Sequence, residues 1–349
     1  MKGVVFPGSR QVEFVDFPDP TPGSGEVVLE IKASGMCGSD LHFYRAAEGA
    51  KSIGLILPEG HGPVIAGHEP CGVVVARGPG LEDHVAPMGA RVMCHHYKGC
   101  GSCQDCRAGW QQLCPDGFVV YGATAHGAHA AYMKVPADTL VTLPDTLSFS
   151  AGAAISCGTG TAFNALKRMN LTGRDTIAVF GQGPVGTSAV LFAHEMGARV
   201  IALDVSDERL EIAQSFGAHD TINPLKEDPI EVIRDLTDGR GATMALDCSG
   251  VPKARVQAVK ATRTWGTVCF VGEGGTVTLD VSKDIMRKQL TIIGSWTFSS
   301  YGQNECAQYI ANRQIDLDKI FTHRFKLDEA KAAYEMFDKQ TCGKGVFEF

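Results

Sequence analysis

At 349 residues the chain is long enough for two ordinary domains, each with its own core. A hydrophobic share of 44% against 20% charged excludes a disordered chain, and a net charge of −7 excludes a basic surface for nucleic acid or anionic lipid. The opening MKGVVFPGSR lacks the apolar run of a signal peptide, and no later apolar stretch could span a membrane, so a cytoplasmic protein is expected.

Up to about residue 150, short β-type runs (VVFP, EVVLEIKAS, CGVVVARG, ARVMCHH, AAYMKVP) are parted by turn signals such as PDPTPGSGE and ARGPG. This texture predicts a mostly antiparallel domain carrying functional loops. Within it lies Cys100-x-x-Cys103-x-x-Cys106-x7-Cys114, with Gly99, Gly101 and Gly109 to fold the backbone round an ion. Twelve cysteines raise the question of disulfides, but clustering of this kind in a reducing compartment more often holds metal. Four thiolates at such spacing usually make a closed, tetrahedral, structural zinc site. A 4Fe–4S cluster is the alternative, and nothing else in the chain points to electron transfer.

Beyond residue 150 the pattern changes. Thr176–Phe180 (TIAVF), a helix from Pro184, Arg199–Leu203 (RVIAL) and a helix from Asp207 follow one another. Ala242–Asp247 (ATMALD), residues 266–271 (GTVCFV) and residues 290–294 (LTIIG) continue the series. Such alternation predicts a doubly wound parallel sheet with helices on both faces, a Rossmann domain in an α/β protein. The cofactor domain is placed at 155–295. Residues 1–154 and 296–349 form the catalytic domain, the amphipathic stretch 327–338 and the terminal GVFEF packing back on it.

TIAVF runs directly into Gly181-Gln182-Gly183-Pro184-Val185-Gly186, a G-x-G-x-x-G in the strand–turn–helix setting that a dinucleotide requires. Gly181 permits the turn, Gly183 lets backbone approach a pyrophosphate, and Gly186 allows helix to pack on strand. The helix start at Val185 and Gly186 offers free N–H groups to that anion. Asp204 ends the second strand and suits the adenine-ribose hydroxyls. With only Val205 and Ser206 behind it, NAD is favoured over NADP. Arg209 lies close enough in sequence to cover adenine or ribose. Val271 and Gly272 fall at the carboxyl edge of the sheet, where nicotinamide should lie.

A second constellation is dispersed: Cys37-Gly38-Ser39-Asp40-Leu41-His42, Gly67-His68-Glu69 and Cys157-Gly158-Thr159. Any one of these residues alone reads as ordinary packing. Together they offer two thiolates and an imidazole, the donors of a catalytic zinc with one open position.

With CGSDLH, AGHEPCG, GCGSCQDCRAGWQQLC, SCGTGTA and FGQGPVG in this order, the chain resembles, over essentially its whole length, a zinc-containing medium-chain dehydrogenase/reductase of the alcohol dehydrogenase class. The resemblance implies a GroES-like catalytic domain beside the Rossmann domain. It makes Cys37, His68 and Cys157 the catalytic zinc ligands, with Glu69 beside the metal and able to ligate it. Asp40 would orient His68, while Cys100, Cys103, Cys106 and Cys114 would hold the structural zinc. Six cysteines then remain as free thiols. Ser39 and His42 would pass the alcohol proton outward through the ribose hydroxyl. Lys344 would reach the cofactor pyrophosphate.

The activity implied is hydride transfer between a small primary or secondary alcohol and NAD(H), giving aldehyde or ketone, in a homo-oligomer that is a tetramer or dimer. Cys157 as third ligand leans away from polyol and amino-alcohol (sorbitol- or threonine-type) dehydrogenases, which remain the runner-up. A zinc-stabilised NAD-binding protein without turnover, or a zinc-free reductase, would need neither the open ligand set nor the relay. The segment 46–66, with His61, is longer than the resemblance leads one to expect and would reshape the substrate entrance. Tyr44, Trp110, Trp296 and Phe298 are candidates for an apolar pocket or for ordinary core.

Overall fold

A computed structural model describes residues 1–47 and 62–349, so most of the long 46–66 segment, His61 included, lies outside the described residues. The chain divides into two units. One comprises Met1–Gly160, Phe298–Lys339 and Lys344–Phe349; the other comprises Thr161–Thr297 and Gln340–Gly343. The first seam falls after Gly160, and the helix Phe149–Ile155 packs on the strands Glu26–Gly35 and Pro70–Arg77 of the first unit. Among the described residues no helix is long and apolar enough to cross a membrane.

The first unit is built on a seven-stranded sheet. Its order is Phe321–Phe325, Lys344–Glu348, Glu26–Gly35, Pro70–Arg77, Arg91–Cys94 and Leu140–Thr142, with Tyr132–Pro136 also pairing to Glu26–Gly35. Every pairing but the first is antiparallel. Alternate residues Val27, Leu29 and Ile31 turn inward onto Val74, Val92, Met133 and Val135, as the two-residue period of a strand dictates. Burying each such side chain contributes about 1.5–3 kcal/mol. The final strand, Lys344–Glu348, inserts between Phe321–Phe325 and Glu26–Gly35 and so fixes the chain terminus in this sheet.

The second unit holds six parallel strands. They run Asp220–Ile222, Arg199–Leu203, Thr176–Phe180, Ala242–Asp247, Thr262–Phe270 and Thr291–Gly294 across the sheet. In chain order this is 3-2-1-4-5-6, the dinucleotide-binding arrangement, with its switch point beside Thr176–Phe180. Ile177, Ala178, Val179 and Phe180 are all buried, which explains why the strand reads as a continuous apolar run and not an alternation. Pro184 opens the following helix, Pro184–Glu195, at the one turn that tolerates a missing N–H. Ser206 caps the helix Asp207–Ser215 through the amide of Arg209.

Candidate active site and metal centres

The sequence Cys37-Gly38-Ser39-Asp40 turns off the strand Glu26–Gly35 into the short helix Asp40–Arg45. The Cys37 amide donates to Asp40 Oδ2 at 2.8 Å, so the turn itself places Asp40. His68 and Glu69 precede the strand Pro70–Arg77, and Cys157 follows the helix Phe149–Ile155. The fold brings these three segments together. Ligand atoms of Cys37, His68, Glu69 and Cys157 all lie within 4.8 Å of one another.

His68 Nδ1 and Asp40 Oδ1 are 2.8 Å apart, which leaves Nε2 of His68 buried with no protein partner. Glu69 Oε1 is likewise buried and unpartnered. Unpaired buried polar atoms are costly, and a divalent cation would satisfy both. The Cys37 and Cys157 sulfurs stand 3.9 Å apart. Zinc–sulfur bonds of about 2.3 Å in a tetrahedron would set sulfurs about 3.8 Å apart, so the donor set fits zinc in type and spacing.

The donors also share protons in a way that metal binding would displace. A hydrogen bond from Cys157 pulls the Cys37 thiol well down against the opposing effect of burial, and the same bond, with burial, pushes Cys157 up. Burial opposes ionisation of Asp40, yet the His68 imidazole holds its carboxyl below the usual range. Glu69 is raised to about 8, chiefly by burial, even though Lys344 opposes the rise.

Lys344 lies beside the donor set. It is 2% exposed, and its ammonium donates to Glu69 Oε2 and to the Met36 carbonyl. A buried ammonium needs a polar partner, and the Glu69 carboxyl supplies it. Lys344 therefore belongs to the surroundings of the dispersed donor set in this structure. Ser39 is half-buried with its hydroxyl 3.8 Å from the Cys37 sulfur, and His42 is exposed on the same short helix.

The cysteine lobe is local. Cys100, Cys103, Cys106 and Cys114 also bring their sulfurs within 4.8 Å of one another. Backbone amides of Cys100, Cys103 and Cys106 point at the sulfurs of Cys114, Cys100 and Cys103 at 3.3–3.4 Å. This N–H···S cage offers four thiols and no open position, the form of a structural zinc site. The other six cysteines, Cys71, Cys94, Cys248, Cys269, Cys306 and Cys342, are free thiols. Burial pushes Cys94 and Cys269 up to about 12.

In the second unit the strand Thr176–Phe180 ends in Gly181 at φ +91°, a conformation that L side chains rarely adopt. A Cβ on Gly186 would lie 1.8 Å from the Gly181 carbonyl oxygen, so the helix can approach the strand only with glycine there. At Gly183 a Cβ would meet nothing within 4 Å, leaving that face of the turn open for a phosphate. Asp204 is 8% exposed and accepts from the Gln182 amide at 2.6 Å and the Ser206 amide at 3.0 Å. Each oxygen keeps a lone pair for a ribose hydroxyl. Arg209 approaches Asp204 at 4.0 Å and also the Cys342 carbonyl.

Val271 and Gly272 border a hollow of about 330 Å³ together with Phe270, Arg255 and Trp296. Trp296 is 37% exposed there, whereas Tyr44 and Phe298 are core residues at 2% and 0%. Trp110 precedes the short turn Gln111–Leu113 at the cysteine lobe.

The sequence reading missed the ion pair that braces this hollow. Asp247, fully buried, accepts from Arg255 Nε at 3.0 Å, and Arg255 also donates to the Gly272 carbonyl. A signal existed: Asp247 ends the apolar run ATMALD as Asp204 ends RVIALD. His129 and Tyr334 were missed too. Each stands in a stretch that reads as core, and only the fold brings them to Asp40.

A parallel-sheet dinucleotide fold in one unit, with an open soft-donor set and a closed four-thiol lobe in the other, defines a zinc-binding dehydrogenase. Residues 23–145 match the alcohol dehydrogenase GroES-like domain, and residues 184–313 match the zinc-binding dehydrogenase family. The chain belongs to the zinc-containing medium-chain dehydrogenases of the alcohol dehydrogenase class and is an oxidoreductase. It is 39% identical to an uncharacterised zinc-type alcohol dehydrogenase-like protein of Escherichia coli K12, YphC, covering 100% of this chain and 99% of that one. It is 33% identical to the L-threonine 3-dehydrogenase of Pyrococcus horikoshii, covering 96% and 94%.

Among solved structures, an alcohol dehydrogenase from Thermus sp. ATN1 aligns with a TM-score of 0.89 at 28% identity, over 100% of this chain and 99% of that one. An alcohol dehydrogenase of E. coli CFT073, solved with NADH, aligns with a TM-score of 0.86 at 26% identity, over 100% and 99%.

Proposed function

We propose that this enzyme oxidises a small primary or secondary alcohol to the aldehyde or ketone with NAD as hydride acceptor, using a zinc ion held by Cys37, His68 and Cys157. The observation that carries the proposal is the buried, unpartnered Nε2 of His68 facing two thiols at tetrahedral spacing. When bound, zinc supplies a Lewis acid for the alcohol oxygen and NAD supplies the hydride acceptor.

The chain's own groups do the rest. Asp40 fixes His68 in the tautomer that presents Nε2 to an ion. Glu69, held by Lys344, keeps a carboxylate oxygen at the donor set and is available as a fourth ligand. Ser39 and the exposed His42 form the route by which the alcohol proton leaves. The route suits His42, a residue type whose ordinary pKa of ~6.5 lets it trade protons with solvent.

On the second unit, the turn Gly181–Gly186 receives the pyrophosphate, Asp204 the ribose hydroxyls, and Arg209 the adenine side. Val271 and Gly272 receive the nicotinamide. NAD is preferred to NADP because a 2′-phosphate would meet Asp204 in place of a hydroxyl. NADH in the E. coli CFT073 relative supports that cofactor. Each chain carries two zinc ions, one catalytic and one structural, and the enzyme works as a cytoplasmic homo-oligomer, a tetramer or dimer. Oxidation of an amino alcohol or polyol is the second reading, favoured by the similarity to L-threonine 3-dehydrogenase.

A screen of NAD+ reduction over primary, secondary, aromatic and polyhydric alcohols and L-threonine tests the proposal. Turnover of a simple alcohol is expected to exceed that of L-threonine and sorbitol. Turnover of L-threonine or sorbitol alone would give the second reading, and none with any substrate would leave a zinc-stabilised NAD-binding protein.

A further inference from the structure

Behind the dispersed donor set runs an unbroken line of buried hydrogen bonds through side chains far apart in sequence. Ser34 Oγ lies 2.8 Å from His129 Nδ1, and His129 Nε2 lies 2.7 Å from the Tyr334 hydroxyl. Tyr334 donates to Asp40 Oδ2 at 3.2 Å, and Asp40 Oδ1 meets His68 Nδ1 at 2.8 Å. Ser34, His129 and Tyr334 are 0% exposed, Asp40 1% and His68 6%, so water does not substitute for any link.

The donors and acceptors of these side chains give the line a direction. An ionised carboxylate only accepts, so Tyr334 must donate its O–H to Asp40 and His68 must donate Nδ1–H. The Tyr334 oxygen is then free to accept from His129 Nε2–H. That leaves His129 Nδ1 as the acceptor for the Ser34 hydroxyl. Every donor along the line points towards Asp40, and at the far end His68 is held with Nε2 turned to the donor set.

Packing holds the line in place. Tyr334, on the helix Ala330–Phe337, meets Phe6 edge-on at 4.7 Å and lies near Tyr44 at 5.8 Å. The His129 ring sits so close to Gly67 that a Cβ there would lie 2.3 Å from its Nδ1, one residue before His68. The line therefore touches the histidine loop both through Asp40 and through its backbone.

We propose that Tyr334, backed by His129 and Ser34, is a positioning residue for zinc binding. It fixes the Asp40 carboxylate and through it the ring and tautomer of His68, so the C-terminal helix tunes metal affinity at three removes from the ion. This rests on Cys37, His68 and Cys157 being a zinc site.

Outer-shell partners of a ligating histidine typically change metal affinity about 10–100-fold when removed, and Tyr334 acts one bond further out. Zinc affinity, measured by competition with a chromophoric chelator on the whole protein, should therefore be about three- to tenfold weaker for Tyr334→Phe. Asp40→Asn should lose about 10–100-fold. Because Tyr334 works through Asp40, adding Tyr334→Phe to Asp40→Asn should cost less than about twofold more. His129→Leu should resemble Tyr334→Phe, while His129→Gln, which keeps an N–H for Tyr334, should regain most of the loss. Zinc in the lobe Cys100–Cys114 should be unchanged in all of them, which reports on folding.

Unchanged zinc affinity in Tyr334→Phe, or an equal loss with and without Asp40, would overturn the proposal and leave Tyr334 a packing residue. A wild-type protein that takes up only the lobe zinc would instead overturn the metal-site reading on which it rests.

Discussion

The two candidate metal-ligand clusters of the first unit solve the same problem with opposite means. The lobe Cys100–Cys114 draws all four donors from fifteen residues and orients them with its own backbone amides. Its outer thiol, Cys100, is exposed and is drawn down to about 6 by hydrogen bonds from Ser102 and Cys103, while burial pushes Cys106 up to about 12. The dispersed set spans residues 37 to 157, is buried, mixes donor types and leaves lone pairs unpartnered. A site made locally can close itself. A site made by the fold can be left open, because strands and helices far from it carry the cost of holding its shape.

The largest effect that sharpens this contrast is expected at the open set. Cys37→Ala or His68→Ala removes the Lewis acid, worth several kcal/mol of transition-state stabilisation, and should lower kcat at least about a thousandfold. NADH binding, followed by fluorescence titration, should stay within about threefold of wild type, since the glycine turn lies in the other unit. Near-normal turnover would mean that the ligands are wrongly assigned.

Gly186→Val should reverse that pattern. Its Cβ would overlap the Gly181 carbonyl, and overpacking of this kind costs about 1–3 kcal/mol. NADH affinity should fall about tenfold or more while elemental analysis still finds both zinc ions. Loss of zinc with retention of NADH would break the division of labour between the units.

Cys100→Ser should act on stability. One zinc per chain should be lost, with the thermal midpoint lower by about 5 °C or more and residual activity in proportion to folded protein. A variant as stable as wild type would show that the lobe holds no structural ion.

The smallest effect is the cofactor preference. Asp204→Ser should narrow an NAD preference of about tenfold, consistent with charge-assisted bonds of about 1.5–3 kcal/mol. Since Asp204 also anchors the Gln182 amide, the variant should bind both cofactors more weakly. A wild type that uses NADP with equal or better kcat/KM would place a phosphate at Arg209 and refute the ribose role of Asp204.

The same local-versus-dispersed distinction governs what could be read without the fold. The lobe, the glycine turn and the strand-end Asp204 are contiguous in sequence or periodic, so their chemistry shows in the spacing of residues. The dispersed donors could be grouped by residue type, but only the resemblance assigned them as one ligand set, because nothing in the spacing of Cys37, His68 and Cys157 demands that they meet. The burial of Lys344 against Glu69 was illegible for the same reason: it depends on the strand Lys344–Glu348 being inserted beside Glu26–Gly35. His129 and Tyr334 left no trace beyond an ordinary core pattern.

The most direct test of the account is to follow zinc content and NADH formation in the same samples during dialysis against a chelator, with an alcohol that the screen shows to be oxidised. The protein should start with two zinc ions per chain, one for each ligand cluster. Activity should vanish as the content falls to one, with circular dichroism unchanged, and return when zinc is restored. Full activity at one zinc per chain would contradict the assignment of the more readily lost, turnover-bearing ion to Cys37, His68 and Cys157.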